Sequence, residues 1–426
     1  MSWWHSITPY QWLVLFVAWL GWVFDAMDAT IYAIVLHPAL DELLPSATGT
    51  PTHEEQIGWY GGVIFSIFLI GWAIGGIAFG IVADRYGRTK TLIVTILVYA
   101  GFTGLAAFSQ DWWHLAIYRF LTALGIGGEW AAGAALVAEV WPEDKRAKAA
   151  GILQSAWAAG FFLAALFNLL LKELGWRWLF AVGVLPALVA LLVRLVVKEP
   201  ERWHRSRARE DLHPASSSLS ALSELLAPPF RRATLAGSIL AFVAVFGLWG
   251  TTTWTPMLIH TFPDMAGLSK RDIAPYVSYA IMALNAGAVI GYLSFGPLAD
   301  RWGRRPIFGL MCVGSLIMLP ITFLSSQSYM HLVVFLPVLG FFNNGIFSGF
   351  PIYLPELFPT RLRATGAGVC FNAGRILASA GPFLTGSLVA AMGDVALAAT
   401  TVGLVYIVGL LALPMAPETK GHPLPD

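Results

Sequence analysis

Charge is scarce in this chain. Of its 426 residues 12% are Asp, Glu, Lys or Arg, against roughly a quarter in soluble domains. Mean hydropathy is +0.68. Together these exclude a soluble globular fold. Cysteine is almost missing. Cys312 and Cys370 both sit inside apolar runs, which excludes a disulfide framework and a cysteine-spaced metal site. No Asn-x-Ser/Thr sequon occurs, which points towards a prokaryotic source. All nine histidines lie in loops or near the ends of runs, so no histidine relay is expected within a membrane. No nucleophile–base pair or metal-spaced cluster appears, so neither an enzyme nor a cofactor is expected. A net charge of +1 gives no reason to expect a nucleic-acid partner.

What is present is a succession of apolar runs. Twelve of them, near 11–36, 57–82, 91–109, 114–139, 149–171, 177–197, 233–258, 275–299, 306–325, 331–356, 364–391 and 395–415, approach the length of about 20 residues that crosses a bilayer. The fold class is therefore an all-α membrane protein with twelve transmembrane helices in two six-helix pseudo-symmetric bundles. The bundles would be 1–197 and 233–426, joined by a polar cytoplasmic linker, 198–232. The first run lacks a basic leader and a small-residue cleavage site, so it reads as a retained helix. One set of loops holds 19 Lys and Arg and the other holds four, Lys172, Arg177, Lys270 and Arg271. The rule that basic loops stay inside puts the first set and both termini in the cytoplasm, in a multi-pass plasma (bacterial inner) membrane protein surrounded by lipid.

The two halves are near copies. Gly80-Ile-Val-Ala-Asp84-Arg85-Tyr-Gly87-Arg88 returns 216 residues later as Gly296-Pro-Leu-Ala-Asp300-Arg301-Trp-Gly303-Arg304. Glu139, Pro142, Arg146 and Gly151 map to Glu356, Pro359, Arg363 and Gly368, and Pro200-Glu201 maps to Pro417-Glu418. Such duplicated halves enclose a solute site at their interface. Small residues four apart, Gly71 and Gly75, Gly76 and Gly80, and Gly287 and Gly291, signal close helix packing that would let the halves slide and rock.

The repeated Gly-x-x-x-Asp-Arg-x-Gly-Arg loop on six-plus-six runs resembles the major facilitator superfamily across essentially the whole chain. Pro417-Glu-Thr-Lys-Gly421 resembles its sugar-porter branch and organic-anion relatives. The stretches Arg119 to Trp130 and Tyr353 to Arg361, and Asp25-Ala-Met-Asp28, look more like the sialate:proton and aromatic-acid:proton symporters, near the lactate carriers. Two departures matter. The seventh run has no glutamine, unlike sugar porters, and the fifth has no Gly-Pro pair of the drug-antiporter type. The resemblance implies that the first, fourth, seventh and tenth helices line a cavity, with the eleventh close by. It also implies that Asp84, Arg85, Arg88, Glu139, Arg146, Asp300, Arg301, Arg304, Glu356 and Arg363 form a cytoplasmic lock. That lock would hold the outward-open state and touch no substrate.

Ionisable groups inside a bilayer are expensive and mark function by default. Asp25 and Asp28 in the first run, Arg119 and Glu129 in the fourth and Arg375 in the eleventh qualify. The second half has no acidic counterpart, since Asp25, Asp28 and Glu129 map to Phe242, Val245 and Ile346. Titratable groups in one half and an anion anchor in the other are thus expected. Asp25 and Asp28 share a helix face, and two close carboxylates oppose joint ionisation, so either can hold the coupling proton. At 1.5 Å per residue Asp28 lies roughly 7 Å, and Arg119 roughly 10 Å, outside the midplane, so the two can pair. Glu129 is a further proton candidate. Arg375 offers a fork that matches a carboxylate, unless Asp25 or Glu129 takes it.

Asn372, Asn285, Asn343, Asn344, Gln154, Trp130, Trp157, Trp249 and Trp254 complete a cavity list of few polar groups among aromatic walls, though tryptophan also fills helix interfaces. The expected function is proton-coupled symport of a small organic anion (a monocarboxylate, sialate or aromatic acid) by alternating access, as a monomer. The alternatives are a sugar or polyol:proton symporter and a membrane sensor that binds solute without moving it. The sensor is disfavoured because no signalling domain or long tail appears.

Overall fold

The structure, a computed structural model, describes residues 6–45, 53–212, 218–378, 388 and 391–425. Every regular element among them is helical. The first half contains α1 (Pro9–Leu43), α2 (His53–Tyr86), α3 (Arg88–Ala106), α4 (Trp112–Val140), α5 (Arg146–Leu171), α6 (Trp176–Val182) and α7 (Pro186–Val196). Two short helices follow, α8 (Glu201–Leu212) and α9 (Ser218–Leu225). The second half contains α10 (Arg231–Ile259), α11 (Lys270–Trp302), α12 (Arg304–Leu324), α13 (Tyr329–Gly345), α14 (Phe350–Leu357) and α15 (Arg363–Ala378), then Val395–Gly403 and Val405–Ala412. Ten helical stretches among the described residues are long and apolar enough to cross a membrane, and Trp176–Ala190 is a shorter apolar one. The chain is a multi-pass membrane protein.

Local chemistry explains the breaks. The sixth run divides where Gly183, Val184 and Leu185 precede Pro186, whose ring cannot donate to a helix interior. The tenth run passes through a tight 3-10 turn, Ile346–Gly349, between α13 and α14. The eleventh run is helical to Ala378; most of its remainder lies outside the described residues. The polar segment after α7 is not featureless, since α8 and α9 occupy it, and Trp203 Nε1 of α8 donates to the Asp84 carbonyl at 2.8 Å.

The turns from α2 to α3 and from α11 to α12 are built alike. Gly87 and Gly303 take φ of 112° and 103°, which glycine tolerates. A carboxylate then caps the next helix. Glu199 accepts from the amides of Thr89 and Lys90 at 3.1 and 3.0 Å. Glu418 accepts from those of Arg304 and Arg305 at 2.9 and 3.0 Å. The counterpart of Glu418 is thus Glu199, and not the Glu201 expected from the Pro-Glu dipeptides. Burial opposes the charge of Glu418, but the surrounding amides outweigh it and hold its pKa below the usual carboxylate value.

Glycine positions separate two kinds of contact. Gly71 and Gly75 press on α4, where an added β-carbon would meet Phe120 O at 2.7 Å and Leu124 O at 2.1 Å. Gly287 and Gly291 press likewise on the Pro337 and Phe341 carbonyls of α13. These contacts lie within each half. Gly80 meets Ala364 O at 2.8 Å and Gly368 meets Gly76 O at 2.3 Å, while Gly296 meets Ala147 O at 2.3 Å and Gly151 meets Tyr292 O at 2.7 Å. Those four bring α2 onto α15 and α5 onto α11, the seams between the halves. Gly75→Val therefore removes the folded, monodisperse peak in size-exclusion chromatography. Gly62→Ala, with open space around its β-carbon, leaves that peak unchanged. Equal behaviour of the two variants would contradict the packing account.

Candidate functional site: a sealed basic end and a charged centre

One end of the molecule gathers the duplicated motif. Arg88 bonds Asp84 (3.1 Å) and Glu139 (3.0 Å). Arg304 repeats this with Asp300 (3.0 Å) and Glu356 (2.9 Å). Arginines then reach across the seam. Arg363 bonds Glu139 at 2.7 Å and Arg146 approaches Glu356 at 3.7 Å. Arg88 also donates to the Thr360 carbonyl at 2.6 Å. Asp84 accepts from the amides of Ala364 (3.0 Å) and Thr365 (2.7 Å) and from the Thr365 hydroxyl (2.7 Å), at the N-terminus of α15, where a helix favours negative charge. Arg88 and Arg363 are wholly buried. The tail joins in, with Thr419 Oγ1 on Glu356 and the Pro425 carbonyl on Arg363, each at 2.5 Å. Two expected members stand apart. Arg85 and Arg301 lie on the surface, each over its neighbouring ring, Tyr86 or Trp302.

The centre holds the other charges. Arg119 Nη1 lies 2.8 Å from Asp28 Oδ2 and 3.0 Å from Oδ1, the pair that helix depth makes possible. Thr103 Oγ1 donates to Asp28 Oδ1 at 2.8 Å. The Arg119 guanidinium lies 4.5 Å from the Phe68 ring centre and 4.8 Å from that of Tyr32. Asp25 and Glu129 differ from Asp28. Both are buried, and neither carboxylate has a hydrogen-bond partner among the described residues. Gly21, one turn before Asp25, makes room for Glu129; a β-carbon there would stand 1.8 Å from Glu129 Oε1. Asp25 is within electrostatic reach of Glu129, Asp28 and Arg375.

Arg375 points into an aromatic clamp. Its guanidinium lies 4.2 Å from the Trp72 ring centre and 4.4 Å from that of Phe371, and Nη1 donates to Asn372 Oδ1 at 2.9 Å. Among the described residues no carboxylate ion-pairs with it. Trp130 stacks on Phe371 at 4.0 Å, and Trp157 leans on Trp22 and Trp72. Gln154 and Asn344 are buried, and Asn344 Oδ1 has no partner. Other expected lining residues are engaged elsewhere. Asn343 accepts from Tyr406 Oη, and Asn285 donates to Ile281 O of its own helix at 2.9 Å. Trp254 is fully buried, and the side chain of Trp249 lies outside the described residues. The sequence reading missed Trp72, Phe371 and Thr103. Trp72 sits in the glycine-rich part of α2, where only packing was legible. A small cavity, about 10 Å³ of space for a water's centre, is lined by Ala18, Trp22, Leu92, Glu129, Trp130, Gly133, Ala134 and Leu153. No group of three metal-ligating side chains occurs among the described residues.

Residues 12–294 match the family model described as Major Facilitator Superfamily. The chain belongs to that superfamily. Residues 260–426 also match the model Sugar (and other) transporter. A protein of Cupriavidus pinatubonensis named a probable 4-methylmuconolactone transporter is 32% identical over 99% of this chain and 94% of its own. A sialic acid transporter of Escherichia coli is 29% identical over 90% of this chain and 88% of its own. In fold, the chain matches the proton:xylose symporter with a TM-score of 0.80 at 19% identity, over 97% of this chain and 98% of that one. This superfamily member is a transport protein and not an enzyme.

Asp28→Asn would leave Arg119 buried with its counter-charge gone, a loss of about 3–5 kcal/mol for a broken buried pair. A marked fall in the melting temperature of the detergent-solubilised protein is expected, larger than that of Asp25→Asn, whose carboxylate has no partner to abandon. The reverse order would remove the structural role of the Asp28–Arg119 pair.

Proposed function

We propose that this chain carries a small organic anion together with a proton by alternating access, on twelve spans in two six-helix bundles of a bacterial inner membrane. The basic end and both termini face the cytoplasm, and the protein works as a monomer. The observation that carries the reading is Arg375. It is a buried guanidinium between two ring faces, and it lacks a carboxylate partner among the described residues. Such a cation is stable in a membrane protein when an anion completes it. A cargo carboxylate that meets the Arg375 guanidinium at the edge of the Trp72 and Phe371 rings suits that geometry. The names of the relatives, one for a muconolactone and one for sialic acid, favour an organic-acid cargo.

The proton is assigned to Asp25 and Glu129. A buried carboxylate without a partner costs far less as the neutral acid, and both are in that position. Asp28, satisfied by Arg119 and Thr103, is the fixed charge beside them. The sealed basic end is then the cytoplasmic lock in its closed form, with the proton loaded. Glu418 and the match to the sugar-transporter model favour a sugar or polyol as the alternative cargo.

A thermal-shift screen separates the two. Lactate, benzoate, 4-hydroxybenzoate, nicotinate, sialate and glucose are compared at mildly acidic and neutral pH. A ligand at 100 times its Kd adds about 2.7 kcal/mol of stability. Stabilisation by an acid, stronger at low pH, supports the anion reading; stabilisation by glucose alone overturns it. Arg375→Lys, folded normally, loses transport of the anion because ammonium cannot reproduce the fork. Full activity in that variant removes the anchor role. Asp84→Asn weakens three bonds across the seam without touching the centre, so transport slows while Kd stays unchanged. A large loss of affinity would contradict its assignment to the lock.

A further inference from the structure

The basic end contains two seams between the halves, and the duplication makes them comparable residue by residue. One joins α2 and α4 to α15. The other joins α11 and α14 to α5. Asp84 crosses the first with three bonds, to the amides of Ala364 and Thr365 and from the Thr365 hydroxyl. Asp300, its twin, bonds Arg304 of its own half at 3.0 Å. The Asp300 side chain is 29% exposed, so the charge of Lys148 on α5 reaches it screened by water. Lys148 stands where Thr365 stands in the other copy, and its amide donates to Lys145 O, within its own half, at 3.1 Å. The arginines differ in the same sense. Arg88 reaches across to Thr360 O at 2.6 Å. Arg304 places Nε and Nη2 on Glu356 and Nη1 on Ala299 O and Asp300, all in its own half. Arg363 donates to Glu139 at 2.7 Å. Arg146 and Glu356 stand 3.7 Å apart, beyond hydrogen-bond reach.

The difference continues to the centre. Trp72 of α2 lies 4.2 Å from the Arg375 guanidinium of α15, and Trp130 of α4 stacks on Phe371 of α15 at 4.0 Å. Asn372 fills the notch at Gly76 of α2, where a β-carbon would stand 1.9 Å from its Nδ2. On the other side Gly151 and Gly296 bring α5 and α11 together by close backbone approach, and Asn285 of α11 bonds its own helix. Charge-assisted hydrogen bonds at low dielectric are the strong contacts, and they gather on the α2–α15 side. We propose that the two seams part in sequence: α5 leaves α11 first, and α2 stays on α15 until the bonds of Asp84 and Glu139 break. The first opening from the centre to the cytoplasm then lies between α5 and α11.

This inference rests on the alternating-access reading above, and one labelling experiment separates the two. Ala147 and Ala364 are twin positions at the starts of α5 and α15, 1% and 0% exposed. Ala147→Cys and Ala364→Cys are made separately, and each detergent-solubilised protein is treated with a hydrophilic maleimide. The unaltered protein supplies the background from Cys312 and Cys370, which are buried. Ala147→Cys should label about tenfold faster or more, the factor that one additional charged hydrogen bond on the α2–α15 side is worth. Equal rates or the reverse order overturn the sequence of parting and leave alternating access standing. If neither variant labels above background, this end does not open, and both readings fall. Ala150→Cys and Ala367→Cys, twins one turn further on, decide the matter if a variant of the first pair does not fold. In Asp84→Asn the Ala364→Cys rate should rise towards that of Ala147→Cys. An unchanged rate there removes the bonds of Asp84 as the cause of the delay and overturns the proposal.

Discussion

One carboxylate oxygen, Glu139 Oε1, accepts from two guanidiniums of opposite halves, Arg88 at 3.0 Å and Arg363 at 2.7 Å. The seam depends on it. A buried charge must be paired or hydrogen-bonded, and this oxygen lets one carboxylate serve an arginine from each half. Asp84 works from the other side of Arg88 and ties it to the first turn of α15. The sealed end is therefore a connected network and not a set of separate bridges.

The centre obeys the same rule with the opposite outcome. Asp28 is satisfied twice and stays a charge. Asp25 and Glu129 have no hydrogen-bond partner among the described residues. Three carboxylates on two adjacent helices thus acquire different chemistry from their partners alone. Arg375 is the fourth case, a cation whose desolvation is only partly offset by ring faces and one asparagine. The aromatic slab around it softens the cost of the buried cation.

Much of this was legible before any coordinates. Helical rise is constant, so depth arithmetic along the first and fourth runs brought Asp28 to Arg119. The duplicated motif announced the paired ion networks because both copies ended apolar runs. Consecutive positions such as Asp84 and Arg85 point about 100° apart around a helix, so motif membership alone could not tell the buried residue from the surface one. Trp72 was hidden by its glycine neighbours, which read as packing. Counting Pro-Glu dipeptides slipped by two residues, because a loop is bound by the amides it must cap and not by the letters it repeats. The break at Pro186 was present in the run but outvoted by its hydropathy.

The cross-seam bonds have a form with a history in it. Glu139 takes the second half's arginine while Glu356 faces the first half's, the reciprocity of a two-fold dimer interface, in which each copy offers the same patch to the other. A seam of that form would have closed equally well between two separate copies of one half. Once the copies were one chain the centre would have been free to diverge, with Asp25, Asp28 and Glu129 in one half and Arg375 in the other. The rim was not so free: a charge lost on one side strands its partner on the other.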